Sequence, residues 1–407
     1  MLKTVKIADL DYMGRGVARI DNVVTFVSGA LLGEIVEIEL LKKGKKFNEG
    51  VVVKVIKSNE NRIEPICQYY QECGGCDLMH MNYQSQLEFK KNKVITTLKK
   101  FANLDLTVKD VVSADDIFNY RNKITFHINN DIGFFKKKTN DFVCIDSCLI
   151  CDKKINEILN QIKKLDLSEI KNITIRCSKN INEIMLIIET NKDINIPKLK
   201  WIDSVYVLIN NKYILKSGNK NIAEKMNDLI FYISPSAFFQ VNTNQAIKLY
   251  DKVKEYAALN KEDIVLDLYC GTGTIALYLS DSCKKVYGIE INEDAIKDAN
   301  VNKEKNNIKN AQFYALNANQ FLSKINDKID VLVVDPPRGG LDNKTINSIL
   351  KLKPKRIVYV SCDVSTLARD LKLLNEDYQV LEVTPVDMFP NTCHIENVCV
   401  LEKRWIK

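Results

Sequence analysis

Seven apolar segments alternate with amphipathic segments in the second half of the chain, and this alternation constrains the fold more than any other feature. The segments are DIVLDLYCG, KVYGIEIN, NAQFYALNA, IDVLVVDPP, RIVYVSC, YQVLEVTPVD and NVCVLEK. Buried strands separated by helices form a parallel, doubly wound sheet, which binds ligands at the carboxyl ends of its strands. The sequence therefore predicts an α/β domain over residues 233–407 with its site at those ends.

The first 232 residues follow two other patterns. Residues 1–58 contain five short strand-like runs separated by glycines, which is typical of a small OB-type β-barrel, a common nucleic-acid platform. Residues 59–232 begin with a cysteine-rich loop and a helix over about 82–110, and then mix strand-like runs with short helices. We expect a central α+β domain there, so the chain divides into three domains.

The composition narrows the class of protein. Lys and Arg number 59 and Asp and Glu 52, a net charge of +7 that is compatible with a polyanionic partner. No apolar run reaches the roughly 18 residues of a membrane helix, and we expect a cytoplasmic protein without a membrane partner. Nothing in the sequence indicates an obligate protein partner. Twelve cysteines in such a chain are expected to be free, catalytic or bound to metal rather than paired in disulfides.

The loop DLYCGTGT follows the first strand of the α/β domain and is the candidate cofactor site. Gly271 and Gly273 allow a tight turn and close approach of the backbone to a ligand, and Glu290 ends the next strand, where a carboxylate can bind both ribose hydroxyls. The loop lacks the third glycine of a dinucleotide site and the lysine of an ATP site. It therefore favours a single nucleoside such as S-adenosylmethionine.

Three further features lie at the ends of later strands, and together they fit one reaction. Asp335 opens DPPR, Cys362 lies in YVSCDVS at a strand-to-helix junction, and Glu396 precedes the last strand. We expect helix amides and neighbouring cations to favour the thiolate of Cys362. Carbon 5 of uracil becomes nucleophilic when a thiolate adds to carbon 6, and a base must then remove the carbon-5 proton. A thiol, a carboxylate and a sulfonium cofactor supply that reaction.

The runs FFQVN, DLYCGTG, DPPRGGL, YVSCDVSTLARD and DMFPNTCHIEN make the chain resemble the bacterial RNA uracil-C5 methyltransferase family. The resemblance implies a class I (Rossmann-like) methyltransferase fold, an amino-terminal TRAM domain, Cys362 as nucleophile and Glu396 as base. It also implies that four residues line the S-adenosylmethionine site: Gln240, Tyr269, Glu290 and Asp335. The RNA partner implied is 23S ribosomal RNA first and transfer RNA second.

The cysteine-rich loop Cys67-x5-Cys73-Gly-Gly-Cys76 places three thiols close together. A fourth ligand has to come from IDSCLIC, where Cys144, Cys148 and Cys151 all qualify. Four thiolates hold either zinc or a [4Fe–4S] cluster, and the spacing alone favours zinc. The family resemblance implies Cys148 as the fourth ligand and a [4Fe–4S] cluster.

Two basic groups are candidate RNA contacts: Arg121 with Lys123, and Lys136–Lys138. Phe126, His127, Phe134 and Phe135 interleave with them, as expected of a surface that stacks unpaired bases. We expect the target uridine to be looped out of its helix.

Two other functions remain open from the residues. An amino-group methyltransferase acting on adenine or guanine also uses an Asp-Pro-Pro loop, but it needs no thiol, so Cys362→Ala distinguishes it. A non-catalytic RNA-binding assembly factor would fail to bind S-adenosylmethionine.

Overall fold

The computed structural model describes residues 2–137, 139–197 and 199–404. Its first sheet has the order β1-β5-β6-β4-β3-β2. The strands are β1 (Leu2–Lys6), β2 (Asp9–Leu10), β3 (Gly16–Ile20), β4 (Val23–Ser28), β5 (Ile35–Lys42) and β6 (Phe47–Lys57). β1 pairs with β5 at one edge, and β2, the next segment of chain, pairs with β3 at the other. The sheet therefore closes into the predicted barrel.

The barrel has six strands where the sequence predicts five, because the run TVKIADL changes partners in its middle. The N–H of Ile7 donates to the Glu34 carbonyl and that of Ala8 to the Val17 carbonyl, both at 2.9 Å. One continuous segment thus joins both edges. Its interior is apolar, with Val5, Ile7 and neighbouring side chains buried.

A helix links the barrel to the rest of the molecule. α1 (Tyr83–Thr97) begins at Asn82, whose side chain accepts from the Ser85 N–H, and it continues as a π-helical turn over Leu98–Ala102. It ends there, short of the predicted residue 110, because Asn103 adopts the left-handed conformation with φ 56°. Beyond it, isolated bridges tie Val108 and Val112 to the edge of the C-terminal sheet.

The central region contains a second sheet of order β13-β12-β11-β10-β7-β8-β9. It comprises β7 (Lys123–Asn129), β8 (Asp131–Phe135), β9 (Phe142–Cys144), β10 (Ile170–Cys177), β11 (Ile184–Thr190), β12 (Ser204–Ile209) and β13 (Lys212–Gly218), with α2 (Lys153–Ile162) between β9 and β10. The apolar side of α2 packs on one face of this sheet, as an α+β domain requires. A hairpin of β14 (Ile222–Met226) and β15 (Leu229–Ile233) follows.

The C-terminal sheet has the order β18-β17-β16-β19-β20-β22-β21. Its strands are β16 (Ile264–Leu268), β17 (Lys285–Glu290), β18 (Ala311–Ala315), β19 (Val331–Val334), β20 (Arg356–Ser361), β21 (Tyr378–Val386) and β22 (Glu396–Lys403). The helices are α3 (Thr243–Ala257), α4 (Thr274–Leu279) with a 3₁₀ turn (Ser280–Ser282), α5 (Glu293–Lys305), α6 (Ala318–Leu322), α7 (Asn343–Leu352) and α8 (Val364–Leu374). Apolar clusters cover both faces of the sheet.

The seven predicted strands of this α/β fold are confirmed, but the sheet is not wholly parallel. β22 is antiparallel to both of its neighbours, β20 and β21. The chain turns from β21 into β22 without a crossover helix, and a direct return of this kind reverses the strand. Strand order reverses between β16 and β19, which places a ligand crevice at their carboxyl ends.

The division into residues 1–58, 59–232 and 233–407 stays a prediction, and the last three residues lie outside the described part of the chain. No helix in that described part has the length and apolar character needed to cross a bilayer.

Candidate active site

Cys362 and Glu396 lie at the junction of β20 and β22. Ser361, the last residue of β20, is the partner of Asn397 across the antiparallel ladder. Cys362 follows Ser361 and Glu396 precedes Asn397, so the register brings these two residues side by side. Asp363 then caps α8, its carboxylate accepting from the N–H groups of Ser365 and Thr366.

Glu396 is a buried carboxyl, with 5% of its surface exposed. Burial raises its pKa to about 8, the negative charge of Asp335 adds to the rise, and Arg338 opposes it. A carboxyl with this pKa exchanges its proton near neutral pH, which is the property required of a general base.

Burial also raises the pKa of the Cys362 thiol, to about 11, and the charges of Glu396 and Asp335 act in the same direction. Arg338 lowers it. Burial and the two carboxyl groups therefore outweigh the Arg338 guanidinium and a backbone hydrogen bond, which act in the direction that the sequence analysis expected. A cationic ligand beside these carboxylates would favour the thiolate.

Asp335 connects the thiol and base to the cofactor loop. It follows β19, its N–H donates to the Leu268 carbonyl at 3.4 Å, and burial raises its pKa to about 6. Its charge raises the pKa of Glu396, of Cys362 and of Asp267 in the neighbouring strand. The predicted nucleophile, the predicted base and Asp335 therefore share one acidic crevice with Asp267.

The cofactor loop turns sharply after β16. Tyr269 has a left-handed φ of 67°, and its N–H donates to the Ile289 carbonyl at 2.8 Å. Gly271 and Gly273 have φ of 54° and 78°, which glycine adopts without steric cost. The Glu290 carboxylate accepts from the Gly271 N–H at 3.3 Å, so the acidic end of β17 lies against the loop as predicted.

The crevice has the chemistry that a sulfonium nucleoside requires. Asp267 is fully buried, and one of its carboxylate oxygens has no hydrogen-bond partner among the described residues. A Cβ at Gly271 would meet no atom within 4 Å, which leaves space against the backbone for a ligand. Several carboxyls and an open backbone approach fit a positively charged ligand with hydroxyl groups, and S-adenosylmethionine is one.

Gln240 lies in the loop before α3, and its contact with a cofactor stays a prediction. It is buried, and its carbonyl accepts from the side-chain amide of Asn122 at 3.2 Å. That contact attaches the central sheet to the catalytic region.

Tyr250 on α3 is a residue that the sequence reasoning missed. It is 3% exposed, and its hydroxyl donates to Thr274 Oγ1 at 3.2 Å. Burial raises its pKa, with contributions from the charges of Asp335, Asp267 and Glu396. It therefore lies among all three carboxyls, yet in the sequence it is one apolar position of an amphipathic helix.

The cysteine loop gathers the thiols that the sequence grouped together. Burial raises the pKa of Cys76, and the charges of Cys148, Cys73 and Cys67 raise it further. The Gly75 N–H donates to Cys73 Sγ at 3.4 Å, as backbone amides do around bound thiolates. Within residues 2–137, 139–197 and 199–404, no group of three or more His, Cys, Asp or Glu side chains forms a site for a metal ion.

Among the candidates for the fourth thiol, the structure distinguishes Cys148. It is the one whose charge raises the pKa of all three loop thiols. The Cys151 thiol hydrogen-bonds to Cys148 and lowers the pKa of Cys148 to about 7. Cys151 is fully buried in the core, and Cys144 is exposed. Metal binding at these positions stays a prediction.

The aromatic residues of the predicted RNA surface divide between the two faces of the central sheet. Phe126 is fully buried and packs against Phe134 on the α2 face, with ring centroids 5.4 Å apart. These two rings therefore belong to the core. His127 and Phe135 lie together on the opposite face, with centroids 5.1 Å apart.

In the second basic group, Lys137 forms an ion pair with Asp77 at 2.5 Å, and Lys138 lies outside the described residues. Contact of this group with RNA stays a prediction. Arg121 and Lys123 remain at the start of the open face, where the Arg121 Nε donates to the Lys123 carbonyl at 3.0 Å.

Comparison with known proteins assigns the two ends of the chain. Residues 205–404 match the family described as tRNA (uracil-5-)-methyltransferase. Residues 3–53 match the TRAM domain.

Whole-chain relatives agree with this assignment. An uncharacterized RNA methyltransferase of Clostridium acetobutylicum is 37% identical, covering 98% of this chain and 96% of its own. One from Staphylococcus epidermidis is 35% identical, covering 99% and 98%. The crystal structure of Pyrococcus abyssi tRNA (uracil-54, C5)-methyltransferase with S-adenosyl-L-homocysteine is 31% identical, has a TM-score of 0.82, and covers 98% of this chain and 99% of that one. The chain therefore belongs to the uracil-5 RNA methyltransferase family, with a TRAM domain at its amino-terminal end.

Proposed function

We propose that this protein methylates carbon 5 of uracil in RNA, with Cys362 as the nucleophile and Glu396 as the base. The observation that carries the proposal is the placement of Cys362 and Glu396 side by side across β20 and β22, beside Asp335 and the cofactor loop. An amino-group methyltransferase has no use for a thiol at this position.

Bound S-adenosylmethionine would supply an electrophilic methyl group, and its positive charge would stabilise the carboxylates of the crevice. The residues proposed to hold it are Gln240, Tyr269, Gly271, Gly273, Glu290 and Asp335. Asp267 and Tyr250 are both buried near Asp335, whose charge raises the pKa of each.

Each protein group has a defined part in the reaction. The Cys362 thiolate bonds to carbon 6, and the carbon 5–carbon 6 π electrons move to the oxygen on carbon 4. Carbon 5 then takes the methyl group, while the methyl–sulfur bond breaks and leaves its electrons on sulfur. Glu396 accepts the carbon-5 proton, the carbon 5–carbon 6 double bond re-forms, and the bond from Cys362 to carbon 6 breaks. The thiolate is regenerated, and the proton leaves Glu396 for solvent.

The RNA is proposed to be 23S ribosomal RNA, with transfer RNA as the second candidate. The barrel and the cysteine loop suggest the ribosomal substrate through the family resemblance. However, the Pyrococcus abyssi tRNA enzyme covers nearly the whole chain with the same architecture, which favours transfer RNA. We place the reaction in the cytoplasm, where both RNAs occur.

The test is mass-spectrometric mapping of 5-methyluridine in 23S ribosomal RNA and transfer RNA from a deletion strain. Loss of one modified site, restored by the wild-type gene, identifies the substrate. Cys362→Ala is expected to restore nothing, whereas Cys144→Ser, which changes an exposed cysteine, is expected to restore the site fully. A Cys362→Ala variant that restores the 5-methyluridine would overturn Cys362 as the nucleophile, whereas a deletion strain that keeps all its 5-methyluridine and loses a methylated adenine or guanine would favour an amino-group enzyme.

We further propose that Cys67, Cys73, Cys76 and Cys148 hold a [4Fe–4S] cluster. The proposal is supported by the charge of Cys148, which raises the pKa of Cys67, Cys73 and Cys76, and by the amide donated to Cys73. Anaerobic purification followed by iron analysis and visible spectroscopy tests it, and stoichiometric zinc without iron would reject it.

A further inference from the structure

The segment 387–395, which connects β21 to Glu396, is held by residues distant in sequence. Four of its carbonyls accept hydrogen bonds from residues 77–120. These contacts are Lys90 Nζ to Phe389 O at 3.0 Å, Tyr120 OH to Pro390 O at 3.0 Å, Asp77 N–H to Asn391 O at 3.0 Å and Lys93 Nζ to Cys393 O at 2.8 Å.

Asp77 holds this segment at two places. Its N–H donates to the Asn391 carbonyl, and its carboxylate accepts from the Cys393 N–H at 3.1 Å. The other carboxylate oxygen pairs with Lys137. Asp77 directly follows Cys76, so the cysteine loop itself is bonded to the segment that leads into Glu396.

Helix α1 holds the same segment from a second side. Gln86 accepts from the Asn391 N–H at 2.9 Å and donates to the Asn391 side-chain oxygen at 3.2 Å. Lys90 and Asp387 form a fully buried ion pair at 2.5 Å at the start of the segment. Breaking such a pair is costly, so the beginning of the segment is fixed.

Within the described residues, the Glu396 carboxylate has no hydrogen-bond partner. Its position therefore depends on its backbone, which is the first residue of β22 and lies three residues after Cys393. A small displacement of a reacting group is expensive, since a misplacement of about 1 Å can cost about 100-fold in rate.

We propose that Asp77 is a positioning residue for Glu396, and that the cysteine loop acts on the reaction through this contact rather than through electron transfer. The inference rests on the proposed function, because it takes Glu396 as the base. It predicts a defect confined to removal of the carbon-5 proton, which comes after Cys362 has bonded to the RNA.

The test uses full-length Asp77→Ala with an RNA transcript that the wild-type protein methylates. Cys362 still bonds to carbon 6 and the methyl group still transfers, but proton removal is slow. We expect a denaturation-resistant protein–RNA adduct with natural uridine to accumulate at least about 10-fold above wild type. kcat should fall by a similar factor, and KM for S-adenosylmethionine should stay within about twofold.

Two matched variants separate positioning from general damage. Asp77→Asn keeps an oxygen that accepts from the Cys393 N–H, so it is expected to rescue most of the turnover. Lys137→Met removes the ion pair at the other carboxylate oxygen of Asp77. The ratio of protein–RNA adduct to methylated product in this variant is expected to equal that of wild type. Gln86→Leu, which changes helix α1 and leaves the cysteine loop intact, should reproduce the Asp77→Ala adduct, whereas Gln84→Ala on the exposed side of α1 should not.

Hydrogen–deuterium exchange of the protein alone provides a readout that is independent of activity. Peptides covering residues 387–396 should exchange faster in Asp77→Ala than in Lys137→Met. Equal exchange in the two variants, or slow turnover without an adduct, would overturn the inference. A wild-type protein that methylates no transcript would instead refute the proposed function, while the exchange result would still decide whether Asp77 holds the segment.

Discussion

Cys362 and Glu396 are brought side by side by the register of one antiparallel strand pair, in which Ser361 lies opposite Asn397. The nucleophile directly follows the last residue of β20 and the base is the first residue of β22, so the strand pair sets their approach to each other. This arrangement also places two acidic groups together in a buried crevice, and that has a measurable consequence for stability.

Glu396→Gln is expected to stabilise the folded protein at alkaline pH. The pKa of Glu396 is raised from the ordinary 4.5 to about 8. Between these values the folded protein keeps a proton that the unfolded chain has released, so this carboxyl contributes stability below pH 4.5 that is lost as the pH rises through 8. Glutamine does not titrate. The free energy of unfolding of the variant minus that of wild type should therefore be larger at pH 9 than at pH 4, by a few kcal/mol. Urea unfolding across this range measures it, and a constant difference would contradict the buried, protonated state of Glu396.

Gly271→Ala is expected to impair cofactor binding, whereas Gly273→Ala is expected to impair the stability of the fold. Both positions have positive φ, which costs alanine about 1 kcal/mol. A Cβ at Gly271 meets nothing within 4 Å, whereas one at Gly273 lies 2.8 Å from Phe313 Cζ and 3.1 Å from the Ala299 Cβ. Gly271→Ala should therefore fold and bind S-adenosylmethionine more weakly, while Gly273→Ala should lose more stability. Calorimetric titration and thermal unfolding distinguish them. Unchanged binding by Gly271→Ala would remove this glycine from the cofactor site.

Cys148→Ala should lose the iron that Cys144→Ser retains. Cys148 raises the pKa of the three loop thiols through its charge, whereas Cys144 is exposed. Iron content and visible absorbance of the two variants, purified anaerobically beside wild type, provide the comparison. If both variants keep their iron, the fourth ligand is another residue.

Phe135→Ala should weaken RNA binding without changing stability, and Phe134→Ala should do the reverse. Phe135 is exposed and contacts the His127 and Phe142 rings, whereas Phe134 packs against Phe126 in the core beneath α2. Loss of one stacking ring costs about 1–3 kcal/mol, or about 5- to 150-fold in Kd. Fluorescence anisotropy with a labelled oligouridine and thermal unfolding measure the two quantities. Equal RNA affinity of Phe135→Ala and wild type would place the RNA elsewhere.

The strands that position the candidate catalytic residues could be predicted from the sequence, but the direction of every strand in the sheet could not. Seven apolar segments matched seven strands, and the residues after them, Asp335 and Cys362 among them, met at one edge, because parallel strands present their carboxyl ends together. The reversal of β22 was not predicted, since a buried strand reads the same in either direction.

Long-range contacts account for most of what sequence reasoning missed. Successive side chains of β7 and β8 point to opposite faces of the sheet, so Phe126 and Phe134 lie on one face and His127 and Phe135 on the other. Counting aromatic residues does not show this division, whereas their alternation along each strand does. The bonds from Asp77 and Gln86 to the segment before Glu396 join residues about 300 positions apart, and no local pattern indicates them.

The position of β22 between β20 and β21 has a consequence for biosynthesis. Both neighbours leave the ribosome before the strand that joins them, so within the described residues β21 has only its bridges to Val108 and Val112, and no neighbouring strand, until Glu396–Lys403 emerges. The thiol and the base therefore cannot come together on a nascent polypeptide that stops before this strand.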